Sequence, residues 1–410
     1  MDLFRLAWKN LWRSRRRTLI TLAAIGLSVM LVQAFHNLAF GTYARMIDSG
    51  VRAGSGHIAI YHEGYVESRD ETLSFEQQGL VETVRDLPKV QEALPRLYLP
   101  GLAQSSRESR GIMLTGVHPE AERRVNPFIK DLPADKMVRD LEGRDAVIGQ
   151  RLLDELKIRQ GGKFVITVQS RTGELVSELF RVRGVVETGI KDVDRSLVMV
   201  GLERAAAMNG QPGEISELAV ILDKPAADRS VHPLLDQLTA DRPHLAVLSW
   251  EKAMPNLANA IKLDYASQKV IFAIIVLIVT IGVVNTLLMS VMERFHEFGV
   301  ILALGASPGK LRRMVLAEAL LLGLVAMVFG CVLGTLGTWY LAEVGIDLRM
   351  FISGDLEFGG VIFEPVLKAG WDVAWMVQIA LYVVLLSVLA SLYPAVKAGR
   401  IVPAEAMRHF

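Results

Sequence analysis

Four long apolar stretches interrupt an otherwise mixed chain, and their spacing predicts most of its layout. They run over about 18–40, 269–292, 315–342 and 373–397, each close to the roughly 20 residues a helix needs to cross a bilayer. The second holds no charge between Lys269 and Glu293. The first follows a basic segment, as the apolar run of a signal peptide does. It is too long for that role, however, and no A-x-A-like site follows closely, so it reads as an uncleaved anchor.

Between the first two spans the hydrophobic period changes. Alternation and β-branched content predict strands in GHIAIYH, AVIG, GKFVITVQ, ELFRVRGVVE, RSLVMV and ELAVIL. Helices are expected in FEQQGLVETVRDL, IGQRLLDELK and LLDQLTA. The leucines of 150–157 share one helical face, and Gly161-Gly162 stops the chain before the next strand. Hairpin turns are expected at Thr172-Gly173 and around 189–194. The expected fold is an α-helical membrane domain of four spans, one plus three, with a large α+β extracytoplasmic domain between the first and second. The boundaries that follow are a lead-in at 1–17, spans at 18–40, 269–292, 315–342 and 373–397, and an outer domain at 41–268. A cytoplasmic segment at 293–314, an outer loop at 343–372 and a tail at 398–410 complete the chain.

Composition agrees with a membrane protein that carries a sizeable water-soluble part. Of the 410 residues 51% are hydrophobic, yet 22% are charged. The net charge of +1 hides an uneven distribution. Arg5, Lys9, Arg13, Arg15, Arg16 and Arg17 precede the first span; Arg294, Lys310, Arg312 and Arg313 lie between the second and third; Lys397, Arg400 and Arg408 follow the fourth. All three groups fall on one side of a four-span topology, which makes that side cytoplasmic and 41–268 extracytoplasmic. The one cysteine, Cys331, lies in an apolar run and allows no intrachain disulfide.

Little in the chain points to covalent chemistry. Gly305-Ala306-Ser307-Pro308-Gly309-Lys310 has one residue too few between its glycines for a phosphate-binding loop, and Leu311 stands where Ser or Thr would bind magnesium. His57, His62 and Glu63 allow a metal site, but solvated polar residues around a strand and turn are the better reading. Residues 305–309 spell G-x-S-x-G, but no strong strand precedes them as a nucleophile elbow requires, and no H-E-x-x-H or paired-Cys motif occurs.

The segment MERFHEFGVILALGASPGKLRRMVLAEALLLG is more informative. Glu293, Arg294, Glu297, Val300, Ile301 and Leu304 predict a short amphipathic helix with its charges nearest the membrane exit. Gly305 suits the position after its C-cap, where positive φ is needed. Ser307 then reads as an N-cap with Pro308 at the first helical position. The pattern spells helix, sharp turn, helix. Two uses remain open for it: a re-entry hairpin whose arginines hold lipid headgroups, or a rigid lever that receives force from a separate ATPase. Within the spans Gln33, His36, Asn285, Glu318 and Gln378 stand out as polar. Asn285 is expected to bond a neighbouring helix, and Gly330, Gly334 and Gly337 to form a small-residue packing face.

These residues carry a resemblance. ERFHEFGVILALGAS with Glu318 in the next span, the closing YPAVKAGRIVPAEAMR with Pro394, Ala395, Pro403, Ala406 and Arg408, and the opening LAWKNLWRSRRRTLITL with Trp8, Asn10, Leu11 and Arg17 resemble the FtsX/MacB/LolC-LolE permease family. The outer segment, including Thr188, Gly189 and Asp194, is most similar to its lipoprotein-releasing LolC and LolE branch. The stretch 169–179 (QSRTGELVSEL) is shorter than the chaperone-catching loop of LolC and lacks its prolines, which leaves chaperone docking in doubt.

The resemblance implies a non-catalytic permease subunit in a bacterial inner membrane, with no cofactor of its own. ATP and magnesium would belong to a separate ABC ATPase, and a second permease chain would complete a homo- or heterodimer. Membrane lipids and a periplasmic chaperone or adaptor are further implied partners; nucleic acid is not. ATPase coupling is implied at Glu293, Arg294, Glu297, Phe298, Gly299, Leu302, Ala303, Gly305 and Ala306. A cleft for lipid-anchored cargo is implied near Met30, Phe35, Val270 and Ile274. The implied work is force-driven release of lipoproteins or similar cargo. MacB-type efflux of peptides or small molecules, and FtsX-like control of a cell-wall hydrolase, are the alternatives.

Overall fold

A computed structural model describes residues 3–77, 79–350, 357–358, 361–362 and 366–402. Pro403, Ala406, Arg408 and the end of the tail lie outside the described residues. The chain forms two compact units: one holds residues up to Ala44, Leu263–Leu348 and Val366 onwards, the other Arg45–Lys262 with Arg349–Pro365.

In the first unit a short amphipathic helix, Leu3–Leu11, precedes four helices long and apolar enough to cross a membrane. These begin as Arg15–Ala53, Pro255–Glu293, Pro308–Glu343 and Val373–Ala390, the last continuing into Leu392–Ala398 after a turn at Ser391. We call them spans one to four. The first two are 39 residues long, longer than their apolar stretches: span one runs on through Gly41 and Gly50 to Ala53, and span two begins at Pro255, well before its apolar run. Leu22, Ile25 and Val29 of span one pack with Val283 and Leu287 of span two and Ala319, Leu322 and Ala326 of span three. Small residues permit the close approach: a Cβ on Gly330 or Gly334 would strike Val29 or Gln33, whereas one on Gly337 would reach only ordinary contact with Ala34 and Met30.

Nine strands build the main sheet of the second unit. They are β1 (Ile58–His62), β2 (Val90–Gln104), β3 (Ser109–Val117), β4 (Asp145–Gly149), β5 (Lys163–Gln169), β6 (Leu175–Val186), β7 (Leu197–Gly201), β8 (Glu217–Leu222) and β9 (Leu245–Ser249). The order is β9-β1-β8-β2-β3-β7-β4-β6-β5, and β5 pairs back with β2. Six strands therefore close into a barrel, which removes two free edges. The 15-residue β2 makes this possible: its first half pairs with β8, while 97–104 pair with β3 and 101–104 also with β5. At the closure a Cβ on Gly101 would press on the Thr167 carbonyl oxygen at 2.7 Å, so the crossing needs glycine. Alternation fills the interior, as Phe164, Ile166 and Val168 of β5 show; all three are buried with Phe180, Leu99 and Ala103.

Each expected strand is present, and three more join them: β2, β3 and β9. FEQQGLVETVRDL divides into a two-residue strand, Phe75–Glu76, and a helix confined to Leu80–Arg85, with residue 78 outside the described ones. Thr172-Gly173 forms the expected hairpin, with Gly173 at φ 85° between β5 and β6. The hairpin expected around 189–194 is instead a turn into the helix Lys191–Ser196. Strand β4 inserts between β6 and β7, so those two never pair. The Asp194 carboxylate fixes this turn by accepting from the Thr188 amide and hydroxyl, both at 2.7 Å, and from the Gly189 amide at 3.0 Å.

His57 is not the solvated residue expected from sequence. It is 2% exposed, and its Nδ1 accepts from the Leu222 amide at 3.2 Å. Burial, then the nearby Arg52 charge, bring its pKa down to about 4.

Candidate functional site: the segment joining spans two and three

Span two ends at Glu293, and the chain breaks at Arg294 before the helix Phe295–Ala303 begins. One continuous amphipathic helix over 293–304 is thus divided. Arg294 is drawn inward because its Nη1 donates to the Glu318 carboxylate of span three at 2.7 Å. Its Nε donates to Glu297 at 3.2 Å, and its guanidinium lies over the Phe298 ring, 4.8 Å from the centroid. Glu318 is 5% exposed and accepts a second bond on the same oxygen, from Asn10 of the lead-in helix at 2.7 Å. Around this buried node run two more open pairs, Arg13–Glu297 at 2.6 Å and Arg17–Glu293 at 2.7 Å. Burial raises the Glu297 carboxyl, but the hydrogen bonds from Arg13 and Arg294 outweigh it and leave the pKa below its usual value.

The far end of the short helix closes with a Schellman turn. The Gly305 amide donates to the Leu302 carbonyl at 3.0 Å and the Ala306 amide to the Ile301 carbonyl at 3.2 Å. Gly305 stands at φ 93°, a conformation that a side chain would strain. Ser307 holds the N-cap position of span three in extended conformation, with Pro308 at the first helical position, although its hydroxyl makes no capping bond.

The residues singled out from sequence separate into two faces. Phe298 (1% exposed) and Gly299 are buried, and Phe298 packs with Val291, Leu311, Val315 and Ala395, with Leu302 against them. Together with the buried Arg294, these residues hold the helix in place and do not form its outer surface. Glu293, Ala303 and Gly305 are exposed, and Glu297 and Ala306 partly so. Alongside them Val300, Ile301 and Leu304 stand open, Leu304 at 83%. The amphipathic pattern names these apolar residues but not their exposure, and nothing in it indicates the link to the lead-in helix through Asn10.

The membrane unit also contains an apolar groove of about 350 Å³. Span one lines it with Ile25 and Val32, span two with Phe272 and Val279, and span four with Ile379 and Leu386. Val32, Phe272 and Ile275 continue it into a second stretch that reaches Phe35, His36 and Lys269. Of the four residues expected at a cargo cleft, Phe35 lines this groove. Met30 lies beside Gly337 of span three, while Val270 and Ile274 are 61% and 52% exposed on the outer face of span two. His36 bonds Asp372 at 3.2 Å and stacks on Trp375. Asn285 does not bond a neighbouring helix: it is exposed and has no hydrogen-bond partner among the described residues.

Comparison with known proteins bears on this arrangement. The FtsX-like permease C-terminal family model matches residues 269–403, the three spans after the soluble domain and the segment between them. The chain is 24% identical over 402 residues to the lipoprotein-releasing system transmembrane protein LolC of Neisseria meningitidis serogroup B, covering 96% of this chain and 94% of the relative. The chain carries an FtsX-like permease domain over residues 269–403, and along its length it is similar to lipoprotein-releasing permeases. A second relative of the permease, the lipoprotein-releasing system transmembrane protein LolE of Haemophilus influenzae, is 21% identical over 98% of each chain. The crystal structure of the periplasmic region of MacB from Actinobacillus actinomycetemcomitans aligns with 52% of the permease and 98% of its own chain, at 14% identity and a TM-score of 0.37.

Proposed function

We propose that this permease takes energy from a separate ATP-hydrolysing subunit through the exposed tip of the helix Phe295–Ala303, and uses it to release lipid-anchored protein from a bacterial inner membrane. The observation that carries the coupling half is the open face of Val300, Ile301, Ala303 and Leu304. Apolar side chains at the tip of a buttressed helix between two spans suit a complementary groove on a protein partner. The Lys and Arg near the span ends support a cytoplasmic position for that tip, where ATP is available, with the domain between spans one and two on the other side.

The cargo half is supported by the full-length likeness to lipoprotein-releasing permeases and by the groove among spans one, two and four. Its lining is almost wholly apolar, with Lys269 and His36 at one end, which suits acyl chains with a polar head. A second permease chain is supported by span two. Only 11% of its most apolar stretch is buried, against 39% for span one, and Asn285 is left without a partner among the described residues. ATP-driven closure of the partner would push the short helix and tilt span two, so that work is done by force and not by opening a water-filled pore.

The test is purification of the whole complex from its native membrane. An ATPase should accompany the chain, and acylated proteins crosslinked to spans one and two should disappear when ATP is added. Recovery of peptides or small molecules in their place would favour export of those compounds, and a bound cell-wall hydrolase would favour a regulatory role. An unchanged complex after substitution at Ile301 or Leu304 would sink the coupling assignment.

A further inference from the structure

The Glu318 carboxylate receives two donors from two different segments of the chain: Asn10 of the lead-in helix and Arg294 at the break after span two, both at 2.7 Å on one oxygen. Glu318 itself sits near the start of span three. Three segments distant in sequence therefore meet at one buried atom. A buried carboxylate and guanidinium are strongly held together because separating them leaves an uncompensated charge. The outer pairs do not reach span three: Arg13, just after the lead-in helix, meets Glu297 of the short helix, and Arg17 of span one meets Glu293 at the end of span two, both in the open, where such pairs are weak. The apolar contacts around the node could hold the helices without any charge: Ala7 and Leu11 are buried on one side, and Phe298 packs with Leu311 and Val315 on the other. Nothing in simple packing calls for an ion pair at this place.

We infer that Glu318 is a positioning residue that locks the lead-in helix, the short helix 295–303 and the start of span three into one moving body. On the coupling reading above, on which this inference rests, a push on the exposed tip would otherwise be absorbed at the break at Arg294. With the joint closed, the lead-in helix is carried along and the push reaches spans one and three together with span two.

The test uses the complete complex with its native ATPase in lipid nanodiscs. Spin labels are placed by Lys9→Cys and His296→Cys in a Cys331→Ser background, and a second pair by His296→Cys and Val373→Cys; His296 is exposed at the start of the short helix, away from its apolar tip, and Val373 is exposed at the start of span four. Distances are read without nucleotide and after trapping with ATP and vanadate. In the protein with Glu318 and Asn10 intact the 9–296 distance should stay single and narrow in both states, while the 296–373 distance shifts on trapping. Glu318→Gln should keep its associated ATPase yet lose the narrow 9–296 distance and show a shift on trapping. Asn10→Ala, which leaves the Arg294–Glu318 pair in place, should loosen the 9–296 distance while the 296–373 shift persists.

A 9–296 distance that already shifts on trapping in the protein with Glu318 intact would overturn the joint. So would a Glu318→Gln distribution identical to the original. Absence of any ATPase from the unlabelled complex, or a 296–373 distance indifferent to trapping, would instead overturn the coupling reading, and the joint with it.

Discussion

Arg96 and Arg294 are each buried against glutamates, one in each compact unit, and the two sites differ in what they join. Arg96 is 2% exposed. Its Nε and Nη2 both bond the Glu122 carboxylate, Nη1 donates to the Gly54 carbonyl, and Glu217 lies 3.5 Å from the same nitrogen. Tyr61 donates to the far oxygen of Glu217 at 3.0 Å, and Asn126 to the Glu122 oxygen that also accepts from Arg96 Nη2, at 3.2 Å. Burial pushes the Glu217 carboxyl above its usual range despite Arg96 and Tyr61. All these groups belong to the second compact unit, and they fasten Gly54 and the helix that carries Glu122 to the sheet that carries Arg96 and Glu217. The Arg294 node has fewer partners and an open border, and it stands where a helix is broken. One cluster makes a domain rigid; the other makes separate segments move together. Burial of a charge pair therefore says little about purpose until the elements that own the charges are named.

Removing one member of each cluster is the sharpest way to separate them. Arg96→Met leaves Glu122 buried without its partner and should cost about 3–5 kcal/mol. We expect a loss of the cooperative thermal transition of the soluble domain, followed by near-ultraviolet circular dichroism on the whole chain. Glu318→Gln keeps the shape and one acceptor oxygen, so the loss should be smaller, about 1–3 kcal/mol. Thermal unfolding in detergent should show both transitions, slightly displaced, with the effect falling on the label distances and not on assembly. An equal loss in the two variants would remove the distinction.

A third measurement asks how the soluble unit responds to acid. His57 has a pKa of about 4 in the fold, below its ordinary 6.5, so the unfolded chain binds the proton more readily. Its stabilising contribution is complete above pH 6.5 and is lost as pH falls from there towards 4. The shift corresponds to about 3 kcal/mol at most. His57→Gln should flatten the dependence of the melting temperature over that window, whereas an unaltered slope would mean that other groups carry it. The smallest stability effect is expected at Leu304, whose side chain is 83% exposed. Leu304→Asp should change unfolding by no more than about 0.5 kcal/mol.

What the sequence disclosed follows the range of the interactions involved. The spans are written in composition, and the Schellman turn at Gly305 and the hairpin at Gly173 in residues a few positions apart. The strand β2 was not legible: Pro95, Pro100 and Gly101 interrupt the usual strand pattern, and its partners lie as far away as Val168 and Val220. The Asp194 turn looked like a hairpin because the insertion of β4 between β6 and β7 depends on chain nearly 40 residues earlier. At the candidate site Asn10, Arg294 and Glu318 each belonged to a motif that drew attention. Their meeting at one oxygen spans 308 residues, and no local period encodes it. The inward face of Phe298 and Gly299 was hidden for a related reason: the break at Arg294 turns the short helix, so the face cannot be extrapolated from span two.

If energy enters at the exposed tip of the 295–303 helix, the variants Ile301→Asp and Leu304→Asp close that entry directly. Each should leave the chain folded and membrane-bound while abolishing co-purification of the ATPase from native membranes. An ATPase retained at its full amount, with undiminished hydrolysis, would contradict the claim.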